Sequence, residues 1–253
     1  MRSASGAALL GFVRAAVAEM PREVVPNGVT VEEARSSAAI KRLIEKELDL
    51  AFLSRPVRTT EVADARRAGR DLHMVVVAAE AVAVVVHPHN PLREIGREQL
   101  RKVFFTGEVS DWAELTDGQK RGPIHVFAVN PKTSGTGELF VSAISGEAST
   151  PYTKAATIVD YSDDTAKQVA ADSEAISFTG MNKVDETMAS LRIDSVEATE
   201  KTILDTSYIL NRKLFAVTAG RPSGAPREVV KFMLSERGQQ LARSAQVTPI
   251  ALE

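Results

Sequence analysis

Three short segments rich in serine, threonine and glycine stand where a predicted strand leads into a predicted helix. They are residues 3–6, 36–39 and 133–137. The N-terminus of a helix presents unpaired N–H groups and the positive end of the helix dipole, so it can bind an oxyanion. Hydroxyl groups add donors, and glycine lets the backbone approach a ligand closely. These segments are candidate anion sites, although serine and threonine are also the usual residues of helix caps.

The third of these segments is the strongest candidate. Residues 133–137 contain two glycines and three hydroxyl residues in five positions, which is more than a helix cap needs. The segment is not a Walker loop, because that loop requires Gly-Lys-Ser/Thr after a four-residue spacer. It therefore favours an anion site built from hydroxyl and backbone donors.

The residue types that usually carry catalysis or bind metals form no recognisable set. The chain has no cysteine, and His87 and His89 have no carboxylate at ligand spacing;. The Gly-x-Ser-x-Gly motif of serine hydrolases is absent. We therefore predict that the protein is not an enzyme and that it holds no metal and no cofactor.

Composition indicates an ordinary globular protein. The 253 residues are 44% hydrophobic and 25% charged, with a net charge of −2 and scattered basic residues, so no nucleic-acid partner is expected;. No apolar run reaches the ~18 residues of a membrane span. The longest run, Val75 to Val86, is interrupted by Glu80 and predicts two consecutive buried strands. Residues 1–3 show no signal-peptide pattern, so we expect the export signal to be absent from this chain.

Short apolar strands alternate with amphipathic helices along the chain, which predicts α/β layers with largely parallel sheets. Ser36 or Ser37 is expected to cap one of the helices. The other main helices are predicted at residues 5–20, 60–68, 97–105, 134–144, 163–171, 225–234 and 236–245. Strands are predicted at residues 29–31, 48–53, 124–129, 157–159, 175–178 and 213–218.

Four segments resemble segments of the phosphate ABC-transporter substrate-binding protein family, and they occur along the chain in the family's order. Residues 104–112 resemble its F-x-G-x-x-x-x-W segment, and residues 133–136, followed by Phe140, resemble its Ser-Gly-Thr ligand loop. Residues 49–56 are similar to the family's strand that ends in a ligand-contacting turn, and residues 212–249 are similar to its tail. The resemblance covers nearly the whole chain.

The resemblance implies a periplasmic-binding-protein-like type II fold, in which two α/β lobes clamp a ligand in a cleft. Lobe I would comprise residues 1–82 and 209–253, and lobe II residues 83–208. The hinge strands would lie around residues 81–87 and 207–214. Only four residues precede Ser5, where the family has a whole strand, so we expect a shortened first strand.

The resemblance also implies which residues bind the ligand. Ser5 and Gly6 would supply a hydroxyl and an amide, and Ser36 a hydroxyl from the second helix. The turn at Ser54 would make a further contact from lobe I. Lobe II would contribute Ser134, Gly135 and Thr136.

Two positions depart from the family's pattern. Well-known phosphate binders have an acidic residue where this chain has Ser54, and it accepts the proton of hydrogen phosphate. They have an arginine where this chain has Asn130. Without the acidic residue we expect weaker rejection of sulfate. Without the arginine we expect lower affinity for the anion. Arg55 or Lys132 could replace the lost cation, or could equally be solvated surface charge.

The implied function is capture of an inorganic oxyanion, with phosphate as the expected ligand, and its delivery to the permease of an ABC transporter. We expect a monomer in the periplasm or outside the cell, with membrane tethering left open. The alternative is that the binding-protein fold serves as a sensory or protein-interaction module with an altered pocket. Ser54 and Asn130 are the residues that keep this alternative open.

Overall fold

A computed structural model of the chain describes residues 1–21, 23, 25, 28–147, 150–160 and 162–250. Strands and helices alternate, which confirms the α/β class. The helices are α1 (Ala7–Glu19), α2 (Ser36–Ile44), α3 (Thr59–Arg67), α4 (Arg97–Arg101), α5 (Gly135–Ser145), α6 (Ser162–Ala171), α7 (Glu200–Leu204), α8 (Gly224–Leu234) and α9 (Glu236–Ser244). The strands are β1 (Arg2–Ser5), β2 (Thr30–Glu33), β3 (Leu50–Leu53), β4 (Leu72–Val86), β5 (Glu94–Ile95), β6 (His125–Val129), β7 (Thr157–Val159), β8 (Ala175–Gly180), β9 (Ala189–Ser190), β10 (Arg192–Ile193) and β11 (Asn211–Ala219).

The chain forms two compact units. Unit 1 consists of Met1–Glu80 and Arg212–Glu253, and unit 2 consists of Ala81–Asn211. The chain passes from one unit to the other within β4 and again at the start of β11. The lobe boundaries inferred from sequence, after residue 82 and before residue 209, stay a proposal. None of the helices in the described ranges combines the length and apolar character that crossing a membrane requires.

Unit 1 contains a mainly parallel sheet with helices packed against it. β1 is parallel to β2 on one side and to β3 on the other, and β11 is antiparallel to β3. β1 has four residues, and α1 begins at Ala7 after it, so the helix predicted from Ser5 starts two residues late. Its apolar face packs against the sheet because Leu9, Phe12 and Val13 are buried with Phe52 in one core cluster.

β4 corrects the prediction that Val75 to Val86 forms two strands. It is one strand of 15 residues, and residues 77–86 are all buried. Glu80 does not interrupt it, because Arg212 pairs with its carboxylate at 2.8 Å. The pairing partner lies on β11, far away in sequence, so the local pattern around Glu80 could not indicate it.

Unit 2 contains a mixed sheet. The second half of β4 is antiparallel to β8, with Val82 opposite Gly180, and β8 is parallel to β6. β6 is in turn parallel to β7. The carboxyl ends of β6 and β7 therefore lie at the same edge of this sheet, and α5 follows β6 from that edge.

Aromatic side chains pack beneath α5. Phe140 stacks on Phe178 at 3.9 Å between ring centroids, and Phe104 and Phe105 also contact Phe140. The segment Lys102–Thr106, predicted as part of an α-helix, is a π-helical turn that follows α4 and buries both phenylalanines. Burial raises the pKa of Tyr152, so its phenol stays protonated and donates to the carbonyl oxygen of Val129 at 3.1 Å. These contacts hold α5 and the end of β6 together.

Candidate functional site

Unit 1 brings its four sequence-predicted residues to one edge of its sheet. Ser5 ends β1, Gly6 follows it, and Ser54 follows β3. Ser36 begins α2, which follows β2. Because these three strands are parallel neighbours, their carboxyl ends meet, and this is the edge at which α/β sheets bind ligands.

The turn after β1 is held by backbone hydrogen bonds. The N–H of Gly6 donates to the carbonyl oxygen of Phe52 at 3.3 Å, and that of Ala34 donates to the carbonyl oxygen of Ser5 at 3.0 Å. The Ser5 side chain is fully buried, and its hydroxyl donates to the carbonyl oxygen of Gly6 at 3.0 Å. The Gly6 N–H is thus already bonded, and the Ser5 hydroxyl would have to rotate to reach a ligand.

The start of α2 differs from the sequence prediction. Arg35 is the N-cap residue and Ser36 is the first helical residue, so neither Ser36 nor Ser37 is the cap. Arg35 makes no side-chain capping bond. The N–H groups of the first turn therefore keep their capacity to bind an outside acceptor.

Arg55 links the turn after β3 to α2 and α3. Its guanidinium donates to both carboxylate oxygens of Glu61, at 2.7 and 2.9 Å, and to the Ser37 hydroxyl at 2.9 Å. The side chains of Arg55 and Glu61 are only 12% and 14% exposed. The positive charge of Arg55 is therefore balanced inside unit 1, which argues against its use as a cation for the ligand.

Glu61 is held in its charged form. Burial raises its pKa, but hydrogen bonds from the Arg55 side chain and the Arg58 backbone N–H, together with their charges, bring the pKa below its usual value. Hydrogen bonds of this kind stabilise the charged form of a carboxyl group and so lower its pKa. The pair Arg55–Glu61 therefore persists at neutral pH.

In unit 2, Asn130 and Thr133 both contact Asp160. Asn130 Nδ2 donates to Asp160 Oδ1 at 3.0 Å, and the Thr133 hydroxyl donates to the same oxygen at 3.1 Å. The Asn130 N–H also donates to the carbonyl oxygen of Val159 at 2.8 Å. The residues that follow β6 and β7 are thus joined, and an exposed carboxylate stands beside the start of α5.

The N-terminus of α5 has the geometry of a donor site. Ser134 is its N-cap, and its hydroxyl oxygen accepts the Thr136 N–H at 3.2 Å. That hydroxyl still has its own hydrogen to donate. The carbonyl oxygen of Ser134 takes the N–H of Glu138. The N–H groups of Gly135 and Gly137 belong to the first turn, where a helix offers no internal acceptor.

Gly137 serves packing. A Cβ atom there would lie 2.4 Å from the carbonyl oxygen of Val129, so only glycine lets α5 rest on the end of β6. The second glycine that made this segment look exceptional in sequence is therefore explained by a backbone contact. Lys132, the other suggested cation, is exposed, and its N–H donates to Asn130 Oδ1.

Sequence reasoning missed Glu61 and Asp160. Asp160 directly follows β7 as Asn130 follows β6, so its position after a strand was a usable signal. Glu61 gave no comparable signal, because its relation to Arg55 depends on how the intervening turn folds. Within the described ranges, no three residues of the types that ligate metals come together. What both units offer is hydroxyl and N–H donors at the carboxyl ends of parallel strands.

The sequence has relatives of known kind. The family model of the PBP superfamily domain matches residues 3–237. The phosphate-binding protein PstS of Staphylococcus haemolyticus is 24% identical over 230 residues, covering 85% of this chain and 70% of that protein. Protein SphX of Synechococcus elongatus is 31% identical over 147 residues, covering 56% and 43%. PstS of Bacillus subtilis is 28% identical over 164 residues, covering 63% and 51%. The chain thus spans from 43% to 70% of the length of these relatives.

Solved structures share the fold over the whole chain. A phosphate ABC transporter substrate-binding protein from Clostridium perfringens, crystallised with bound phosphate, has a TM-score of 0.83 and 25% identity, covering 99% of this chain and 100% of that one. An ABC-type phosphate transport receptor from Vibrio cholerae has a TM-score of 0.79 and 20% identity, with the same coverage. The second similarity bears on the fold alone.

Proposed function

Since the chain belongs to the PBP superfamily domain family, we propose that it is an extracytoplasmic solute-binding protein that captures inorganic phosphate for an ABC transporter. The observation that carries the proposal is the likeness, over the full length, to a substrate-binding protein crystallised with phosphate. The matching relatives that are named phosphate-binding proteins support the same ligand. They favour transport over the alternative of a sensory module.

We assign the ligand contacts to both units. Unit 1 would contribute the hydroxyls of Ser36 and Ser54 and, after rotation, that of Ser5. Gly6, whose N–H is bonded to the Phe52 carbonyl oxygen, would contribute by letting the backbone approach the ligand closely;. Unit 2 would contribute Asn130 and the start of α5, namely Ser134, Gly135 and Thr136. The geometry of α5 supports this assignment, because the N–H groups of Gly135 and Gly137 lie in the first turn of a helix, where the helix offers no internal acceptor and an oxyanion is favoured.

The ligand would be held by neutral donors. Arg55 is paired with Glu61, and Lys132 is exposed. Hydrogen bonds from neutral groups are weaker than those from cations, but they gain strength where water is excluded. We therefore propose lower affinity and weaker rejection of sulfate than in proteins that combine an arginine with a carboxylate.

Calorimetric titration with phosphate, sulfate and a larger oxyanion tests the proposal. We expect binding of phosphate, and weaker binding of sulfate. Ser134→Ala should reduce phosphate affinity about tenfold, because it removes a donor and an N-cap together. Ser142→Ala is the matched control, since that hydroxyl donates to the Leu139 carbonyl oxygen further along α5. Absence of heat with all three anions would remove the function.

The wider role is proposed on the same basis. The partner would be the permease of an ABC transporter, and the protein would act outside the cytoplasmic membrane as a monomer. It would bind its ligand without catalysis. Phosphate-ester hydrolysis by the purified protein would contradict the last point, and a permease complex that forms only with this protein present would support the first.

A further inference from the structure

Glu80 is an unusual residue for its place. It is the one charged residue in the otherwise valine and alanine run from Val75 to Val86, and it is only 2% exposed. Charged side chains are almost never buried to this degree unless they are paired. Its presence in the middle of β4 therefore requires a specific partner.

Arg212 is that partner. Its Nε donates to Glu80 Oε2 at 2.9 Å, and its Nη2 lies 2.8 Å from the same oxygen. The arginine side chain is 9% exposed. Glu80 is the last residue of the first segment of unit 1, and Arg212 is the first residue of its second segment. The ion pair therefore joins β4 to β11 at the two points where the chain leaves and re-enters unit 1.

Beyond this pair, β4 is bonded to the turn that leads into β11. Two residues further along β4, the Val82 N–H donates to the carbonyl oxygen of Leu210 at 2.8 Å. The hydroxyl of Tyr208, which is fully buried, donates to the carbonyl oxygen of Val82 at 3.0 Å. β4 and the segment that leads into β11 are thus bonded to each other immediately after the ion pair.

The apolar residues of β4 cannot by themselves specify how it aligns with β11. A shift of the strand by two residues would again place valine or alanine at almost every position, and the same faces would stay apolar. Glu80 breaks this near-repeat, because a shifted strand would leave its carboxylate buried without Arg212. A buried charge without a partner is costly. The pair therefore distinguishes one alignment from its neighbours.

We propose that Glu80 and Arg212 are positioning residues for ligand binding, which fix the alignment and limit the flexibility of the two strands that connect the units. The part that concerns ligand binding rests on the proposed function. A buried ion pair often adds little net stability compared with apolar residues of similar size. Its value in this place is the alignment it specifies.

The test separates alignment from stability. In the double variant Glu80→Met with Arg212→Met, apolar side chains replace both charges, so the urea unfolding midpoint should stay close to that of the wild type. Hydrogen exchange should nevertheless change. We expect the Val82 amide to exchange about tenfold faster, because a coupled contact that restrained it is lost. The amide of Ile176, in the core of unit 2, should keep its exchange rate.

Ligand kinetics provide the functional measurement. In the same double variant we expect phosphate to dissociate about tenfold faster, because the connecting strands sample more than one alignment. The matched control is Glu19→Met with Arg237→Met, which removes an exposed ion pair from the same unit. That control should leave both Val82 exchange and phosphate dissociation unchanged.

Two results would overturn the inference. One is a double variant whose Val82 exchange and phosphate dissociation match the wild type, which would make the pair purely structural. If the double variant does not fold, Glu80→Gln decides, because it keeps the shape and removes the charge. Unchanged Val82 exchange in that variant is the second overturning result. A wild-type protein that binds no phosphate would refute the proposed function, while Val82 exchange would still decide the alignment.

Discussion

The two units place different chemistry at the carboxyl edges of their sheets. Unit 1 gathers Ser5, Ser36 and Ser54 at this edge, and Glu61 neutralises the guanidinium of Arg55. Unit 2 builds its candidate site from the backbone of α5 and sets a carboxylate, Asp160, beside it. Neither edge keeps an uncompensated buried cation among the residues assigned to the ligand. The comparison indicates that neutral hydroxyl and N–H donors would hold an anion, while the carboxylate of Asp160 would disfavour fully ionised anions such as sulfate.

The largest expected effect distinguishes Gly137, in the first turn of α5, from Gly6, the N-cap residue of α1. Gly137→Ala should destabilise the protein by about 3 kcal/mol, because the added Cβ would overlap the Val129 carbonyl oxygen;. Phosphate binding should be lost with it, since α5 would move away from β6. Thermal unfolding and calorimetry measure both.

Gly6→Ala is the corresponding change in unit 1. The nearest atom to its Cβ would be the Ala34 carbonyl oxygen at 4.0 Å, and the φ angle of −65° suits alanine. We expect a stability change below about 0.5 kcal/mol. Equal losses in the two variants would show that α5 does not depend on close backbone contact.

The second prediction removes the negative charge that balances Arg55 in unit 1. Glu61→Gln should reduce stability by about 2 kcal/mol, because the two bonds of Arg55 to a carboxylate are replaced by at most one bond to a neutral amide oxygen in a largely buried position. Sulfate and phosphate should both bind more tightly, because the positive charge beside Ser37 is no longer balanced. Unfolding curves and calorimetry measure these effects together.

Glu98→Gln provides the control for that variant. Glu98 also pairs with an arginine, Arg101, but its side chain is 62% exposed. Exposed pairs contribute little, so we expect a loss below about 0.5 kcal/mol and no change in anion affinity. If Glu61→Gln and Glu98→Gln reduced the stability equally, the burial of the Arg55–Glu61 pair would not add to its contribution to stability.

The local pattern of the sequence was sufficient for some features and insufficient for others. Strand and helix alternation, and a helix that starts within residues 133–137, follow from residues close together in the chain, and the structure agrees with them. The continuity of β4 was missed because Glu80 depends on Arg212, 132 residues away. The contacts of Asp160 depend on tertiary structure in a similar way, since Asn130 and Thr133 reach it only after β6 and β7 pair, although its place after a strand was a usable signal. Buried or grouped polar residues are therefore the features for which tertiary partners decide.

The third prediction tests the carboxylate of unit 2. Asp160→Asn should strengthen sulfate binding by about fivefold, because an exposed negative charge beside an anion contributes up to roughly 1 kcal/mol of repulsion. Phosphate should gain less, since its own proton can be donated to a carboxylate. The ratio of phosphate affinity to sulfate affinity, measured by calorimetry at fixed ionic strength, should fall.

Asp172→Asn is the matched control for this change. Asp172 lies in the same unit but beside His125, at the amino end of the parallel strands β6 and β8. Removing its charge should not alter the ratio of phosphate to sulfate affinity. A sulfate affinity that is the same in Asp160→Asn as in the wild type would contradict a role for Asp160 in excluding fully ionised anions.

The smallest expected effect is a difference in acid sensitivity. Although burial raises the pKa of Glu61, hydrogen bonds and charge from Arg55 and Arg58 hold it below its usual value. A carboxylate with a depressed pKa contributes stability above its unfolded pKa of about 4.3, and this contribution is lost as the pH falls through its folded pKa. The wild type should therefore lose more stability than Glu61→Gln between about pH 5 and pH 3. Urea midpoints across that range measure the difference, and parallel curves would show that the Arg55–Glu61 pair does not shape the acid response of unit 1.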